Sequence, residues 1–289
     1  MTQSNGYGAA GRHGGHHSSS TLTRNASDEE QPLLNGRVAN GHNSKSSLTS
    51  RMRAAARVEV KREWADLVLI LCYVITGLLD SSSISIWGSF VSMQTGNTIY
   101  IGLGLAAPTE GTRWIKSITS LGCFCVGSFC FSRFHRHFSP KRRGTLIASF
   151  MFQTVLCVIA AAMVSFGPGG YGPGDITWDV LVPIALVAFQ ACGQAVTSRA
   201  LGYNALTSVV LTSVYCDLFS DAYLFKLDNP ERNRRLAAPL MLLVGAISGG
   251  LFAHSSIGIA GALWAAAFLK LVIVLVWVVW PGEEADHAE

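Results

Sequence analysis

Charged residues are scarce in this chain. Asp, Glu, Lys and Arg make up 14% of its 289 residues, while 49% are hydrophobic; soluble domains carry about 25% charge. Mean hydropathy is positive. That balance excludes an ordinary soluble domain and fits a multi-span membrane protein. Cysteine is missing from every loop: Cys72, Cys123, Cys125, Cys130, Cys157, Cys192 and Cys216 all lie in apolar segments. A disulfide framework is thereby excluded, and Cys123-x-Cys125 lacks the second pair of a zinc site. Enzymatic signatures are missing as well. There is no G-x-S-x-G, no H-E-x-x-H and no phosphate-binding loop, so no enzyme, cofactor or metal centre is expected. The net charge of +4 sits in particular loops and is not a nucleic-acid signature.

Aromatics are nearly missing from residues 1–60, where Tyr7 is the only one. This Gly-, Ser-, Asn- and His-rich stretch cannot bury enough apolar surface to offset its ordering entropy, and is read as a disordered cytosolic tail. His13, His16 and His17 fit a histidine-bearing low-complexity tail better than a metal site. Within "DEEQPLL", Glu29 with Leu33 and Leu34 resembles an acidic dileucine sorting signal, which would bind a sorting adaptor and set the destination, with a vacuolar or endosomal membrane or the plasma membrane as the expected locations. No apolar signal region precedes residue 60, so the first spanning helix is expected to direct insertion. The basic stretch "RMRAAARVEVKREW" (51–64) favours the anionic cytosolic leaflet.

Eight apolar segments follow, at about 65–86, 88–107, 114–133, 144–166, 179–199, 204–225, 236–254 and 257–280. Each approaches the roughly 20 residues that a spanning helix needs. Eight crossings would place "RFHRHFSPKRR" (133–143), with five Arg or Lys and no acid, on the external side. The positive-inside rule restores it to the cytosol if 88–107 and 204–225 dip and return, leaving six crossings. Arg113 and Lys116 then fall on the wrong side. The expected fold is an all-α transmembrane bundle spanning 61–282, with an acidic tail at 283–289.

Shifting the chain on itself by 117 residues lays 65–86 on 182–203, 114–133 on 231–250 and 144–166 on 261–283. Thr95 then falls on Thr212 and Gly96 on Ser213. Ser128-xxx-Ser132 falls on Gly245-xxx-Gly249, a spacing that lets membrane helices approach closely. The halves, about 65–166 and 182–282, would be an inverted repeat if each has three crossings. Such folds place broken segments and solute sites near the midplane.

"FVSMQTGNTIYIGLGLA" (90–106) carries a polar run that lipid cannot satisfy. Gln94, Thr95, Gly96 and Asn97, together with Gln190, Gln194 and Thr212, are the solute-path candidates; Asn204 shares their chemistry. Amides offer both donor and acceptor, although Gln190 and Gln194 could instead join helices. Asp80, Asp217 and Lys270 are intramembrane charges, expensive in lipid and functional by default. Lys270 is about ten residues, roughly 15 Å, from its helix end. A pair with Asp80 or Asp217 could relay protons or bind an ion, or could be structural. Asp221 and Arg199 read as edge residues, and His254 is given no role. Trp264, Trp277 and Trp280 suit packing and an interfacial belt.

"GLLDSSSI", "FVSMQTGNTIYIGLGLA", "FQACGQAVTSRALG" and "TSVVLTSVYCDL" together resemble the YoaK family (domain of unknown function 1275) of integral membrane proteins, over about residues 64–280. The resemblance maps the family's pattern onto Asp80, Phe90 with Thr95-Gly96-Asn97, Gln190 or Gln194, and Thr212 with Asp217. Two positions depart from it: "GQAVTS" lacks the usual asparagine, and Thr212-Ser213 replaces Thr-Gly. The resemblance implies six spans and leaves activity open. The expected function is a transporter- or channel-like protein for a small solute or ion. The alternative is a non-transporting protein that binds lipid or scaffolds partners through its tail. Association of copies into a homo-oligomer stays open.

Overall fold

The computed structural model describes residues 48–168, 174–204 and 206–283. Glu29, Leu33 and Leu34 lie outside them. The helices are α1 (Leu48–Arg57), α2 (Ala65–Ile86), α3 (Gln94–Ala106), α4 (Arg113–Phe138), α5 (Arg143–Phe166), α6 (Trp178–Ala200), α7 (Thr212–Phe219), α8 (Pro230–Ala253) and α9 (Gly258–Val279). Helix α1, "LTSRMRAAAR", occupies the end of the expected tail. Its alanines and arginines are strong helix formers.

Six helices, of 22 to 26 residues, are long and apolar enough to cross a membrane. At 1.5 Å per residue they run about 33 to 39 Å, against a hydrocarbon core of about 30 Å. Helix α3 has 13 residues and α7 has 8, roughly 20 and 12 Å, so neither crosses as a helix. Exposed Leu240, Leu243, Ile247 and Leu251 on α8, and Phe129, Phe152 and Phe268 elsewhere, make sense only against lipid.

Two ends of the bundle can be told apart by their contacts. At one end, Val60 N–H donates to Lys141 O (3.0 Å) and Lys61 N–H to Pro281 O (3.2 Å). Here too Arg62 donates to Gly202 O (3.1 Å) and Arg234 bonds Asp66 (2.5 Å). The basic stretches 51–62, 133–143 and 226–235 therefore gather together. At the other end, Thr112 Oγ1 donates to Gly174 O (2.8 Å), and Arg113 and Lys116 donate to Gly88 O and Trp87 O. Residues 88 and 113 thus share one end, and 202 and 234 share the opposite one. Each short segment returns to the end it left, as the loop charges predicted.

Arg113 and Lys116, the two exceptions to the charge pattern, are consumed by the C-terminus of α2, where cations are favourable. Trp87 and Gly88 N–H both bond Ser83 O (2.8 and 3.1 Å), and Gly88 closes the helix at φ 78, a conformation glycine adopts without steric cost.

The core centres on Trp87, Phe150, Ile184, Leu263, Ile273 and Trp277, all fully buried. Helices α2 and α8 meet through small residues. A Cβ on Gly77 would come 2.1 Å from Leu242 O, one on Gly245 2.1 Å from Val74 O, and one on Gly249 2.3 Å from Leu78 O. Such contacts let dispersion act between backbones where no hydrophobic force separates helix from lipid. Gly249→Val is therefore expected to cost about 1–3 kcal/mol through overpacking, read as a lowered melting temperature of the purified protein. Gly102→Ala, inside α3 with an added methyl that meets nothing within 4 Å, should leave it unchanged or slightly raised, since alanine is the better helix former.

Candidate functional site: two buried polar centres

Helix α3 begins without a side-chain cap of its own and without an acid in its first turn. Asp80 of α2 supplies both. Its Oδ1 accepts from Val91 N–H and Ser92 N–H (both 2.8 Å), and its Oδ2 from Met93 N–H (3.1 Å). A carboxylate at a helix N-terminus satisfies orphan donors and the dipole together. Asn97, fully buried, clamps the peptide of Phe90: Oδ1 accepts its N–H (3.1 Å) and Nδ2 donates to its C=O (2.7 Å). Ser120 of α4 also donates to Phe90 O (2.7 Å). Gln94 Nε2 reaches Val91 O (3.2 Å) and its Oε1 accepts from Asn97 (2.8 Å). The opening of this segment is thus sheltered by α2 and α4. Gly96 lies under the Phe90 ring, where a Cβ would come 2.6 Å from Cε2.

The second centre surrounds Lys270, fully buried in α9. Its Nζ donates to Gln153 Oε1 of α5 and Gln194 Oε1 of α6, both at 2.8 Å. Gln194 Nε2 donates onward to Thr76 Oγ1 (3.2 Å), Ser208 Oγ (3.2 Å) and Cys72 O (3.4 Å). Gln153 Nε2 donates to Ser149 Oγ (3.3 Å), which lies 3.3 Å from His135 Nε2. Two amide oxygens solvate the ammonium, and among the described residues no carboxylate forms an ion pair with it.

Helix α2 carries Cys72, Thr76, Asp80 and Ser83 at spacings of four, four and three, which put them on one face. That stripe joins the two centres. Helices α2 and α6 run antiparallel, because Arg62 meets Gly202 and Thr76 meets Gln194. Gln190, one turn before Gln194, therefore lies level with the stretch from Thr76 to Asp80. It is fully buried, and neither atom of its amide has a hydrogen-bond partner. Buried amides are ordinarily paired.

Several expectations are corrected here. Lys270 pairs with neither Asp80 nor Asp217: Asp80 is occupied by three backbone N–H groups. Asp217 is exposed, at the basic end, where its C=O accepts from Arg235 (3.5 Å). Nearby Asp221 bonds Tyr223 N–H (2.8 Å), Asn229 (3.1 Å) and Arg235 (3.4 Å). The Tyr223 N–H foremost, then Asn229, holds its carboxyl below the ordinary value. Thr95 and Thr212 are exposed and do not reach the interior. Thr212 opens α7, whereas Ser208, in the irregular backbone before it at φ 61, points inward. Gln94 and Asn97 hold backbone rather than open space.

Sequence reasoning missed Gln153, Ser208 and Thr76. Signals for each were present. Gln153 is the only amide in α5 and sits 117 residues before Lys270, Ser208 lies inside the 204–225 segment expected to dip, and Thr76 is one turn before Asp80.

The fold and these centres define a class: a polytopic helical membrane protein with six spanning helices and two interrupted polar segments. The model of a family described as protein of unknown function (DUF1275) matches residues 68–276, and the chain belongs to that family. No curated protein and no solved structure matches it.

Proposed function

We propose that this chain is a transporter- or channel-like protein that moves a small solute or ion between its two polar centres, with its basic end in the cytosol. The observation that carries the reading is Lys270, a buried ammonium at the junction of α5, α6 and α9 with amide oxygens as its bonded acceptors. A charge so placed is expensive, and membrane proteins keep such charges where they serve a path. A lone cation among dipoles favours anions over cations. Thr76, Gln190 and Asp80 continue the polar line toward the external end.

The halves are proposed to be an inverted repeat, and the geometry supports this. Helices α4 and α8 start 117 residues apart, at Arg113 and Pro230, the same separation that relates Gln153 to Lys270. Positions equivalent in the two halves thus touch at the centre. Helices α2 and α6 each end in a glycine at φ 78, Gly88 and Gly202, and an arginine donates to each of those carbonyls. The short segments open from opposite ends, as inversion requires.

The test is flux in vesicles holding the purified chain, surveyed over inorganic anions, cations and small neutral solutes. Gln190→Leu should cut the flux sharply while leaving the melting temperature unchanged or higher, because it removes an amide that makes no hydrogen bond in the protein. Flux untouched by Gln190→Leu, or absent from the unmodified chain for every solute, rejects the reading.

A further inference from the structure

Between α4, α5 and α6 lies an apolar pocket of about 400 Å³, within the range of small-molecule sites. Its walls are Phe131 and Phe134 of α4, Ala148 and Phe152 of α5 and Phe189 of α6, with Ser149 at its floor. The rings of Phe131, Phe152 and Phe189 stand 5.9 to 6.2 Å apart, centroid to centroid, and brace one another. Exposed Phe129, Met151 and Val155 flank it, so it opens toward hydrocarbon.

Depth and charge identify the occupant. Ala148 and Phe152 are five and nine residues into α5, which starts at Arg143. That places them about 7 to 14 Å below the helix start, where the first carbons of an acyl chain lie beneath a headgroup. Directly above is the basic stretch 133–143, the last turns of α4 and its connection to α5, with five Arg or Lys and no acid. Arg136, Lys141 and Arg142 are exposed there, and none of its basic residues forms an ion pair with a described residue. Basic clusters at this height attract anionic headgroups. A second copy of the chain fits less well, since a two-fold interface on this face would bring two such stretches together.

We propose that this pocket is a binding site for one acyl chain of an anionic phospholipid whose headgroup rests on the basic stretch 133–143 at the α4–α5 connection. The pocket floor communicates with the polar centre: Ser149 bonds Gln153, whose carbonyl accepts from Lys270. The lipid site does not depend on the transport reading, and it would stand if the chain conducts nothing.

Native mass spectrometry of the full chain, purified and offered equal phosphatidylserine and phosphatidylcholine, tests it. Unmodified protein should retain phosphatidylserine preferentially, and a phosphatidylserine with a photoactivatable acyl chain should cross-link within 130–134, 148–152 or at 189. Ala148→Trp, which fills the pocket, should lose the bound lipid and the cross-link. The triple variant Arg136→Gln, Lys141→Gln, Arg142→Gln should keep the cross-link and lose the preference between lipids. Equal retention of both lipids by unmodified protein overturns the proposal, as does cross-linking elsewhere. So does an Ala148→Trp variant that binds lipid as before, or one whose only change is dissociation of an oligomer. Should Ala148→Trp fail to fold, the cross-link map of the unmodified chain decides.

Discussion

Replacing Asp80 by alanine is expected to unfold the end of the bundle that holds α3. Three backbone N–H groups, of Val91, Ser92 and Met93, bond its two carboxylate oxygens, and all three belong to the irregular backbone before α3. Orphaning a buried donor costs about 1–3 kcal/mol, and two of the three are buried while Met93 is half-buried, so the loss should be at least about 2 kcal/mol. Burial keeps water from the first two: Val91 is fully buried and Ser92 is 2% exposed. The check is the melting temperature and yield of the purified variant beside Asp80→Asn. The asparagine keeps an acceptor oxygen for part of the set but not the charge, and should fall between. Equal stability of Asp80→Ala and the unmodified chain would show that the carboxylate does not hold this segment. A flux defect in Asp80→Ala would follow from the fold alone, so this variant measures the scaffold and not the path.

Lys270→Met gives the other large effect, and it should divide differently. Methionine has nearly the length of lysine and no charge, so packing against the core survives. Gln153 and Gln194 each lose a donor to their carbonyl oxygen, at about 1–3 kcal/mol apiece. Removal of a buried charge returns part of that. Stability should therefore drop moderately, while flux in vesicles falls to the protein-free background. Lys270→Arg should not restore flux, because the planar guanidinium cannot present a compact point charge to two amide oxygens that now share one ammonium. Flux in Lys270→Met equal to that of the unmodified chain would remove the charge from the mechanism; a melting temperature near that of the unmodified chain, with flux lost, would assign Lys270 to the path and not to the scaffold.

Much of the architecture was legible in the chain. Hydropathy marked the spans, because a helix of about 20 apolar residues is the cheapest way to hide backbone from lipid. The loop charges 133–143 and 226–235 demanded two dips, and 88–107 and 204–225 are the two segments whose helices are too short to cross. Arg113 and Lys116 broke the charge pattern only because a sequence does not show that a carbonyl-bearing helix end lies beside them. The polar run at Gln94–Asn97 was read as sheltered, which holds for Asn97 and not for Thr95, and its partners were not foreseen. Asn97 clamps Phe90 and Ser120 closes the same carbonyl, which no spacing announces.

The charges were misjudged for a related reason. Composition marks Asp80, Asp217 and Lys270 as costly in a membrane, but it cannot say which costs are met by which neighbours. Asp80 found backbone, Lys270 found amides, and Asp217 came to rest at the basic end. Likewise Thr212 was a candidate, aligned with Thr95, and Ser208 was not. Both aligned threonines are exposed, and the inward contact belongs to a serine four residues earlier.

From the sequence alone came the class, the eight apolar segments and the rough location of both interruptions, since transfer free energies and loop charges act residue by residue along the chain; that six of the eight cross was decided by helix length in the fold. Which side chains meet inside was decided by tertiary structure, because hydrogen bonds in a dry interior depend on tenths of an ångström between helices distant in sequence.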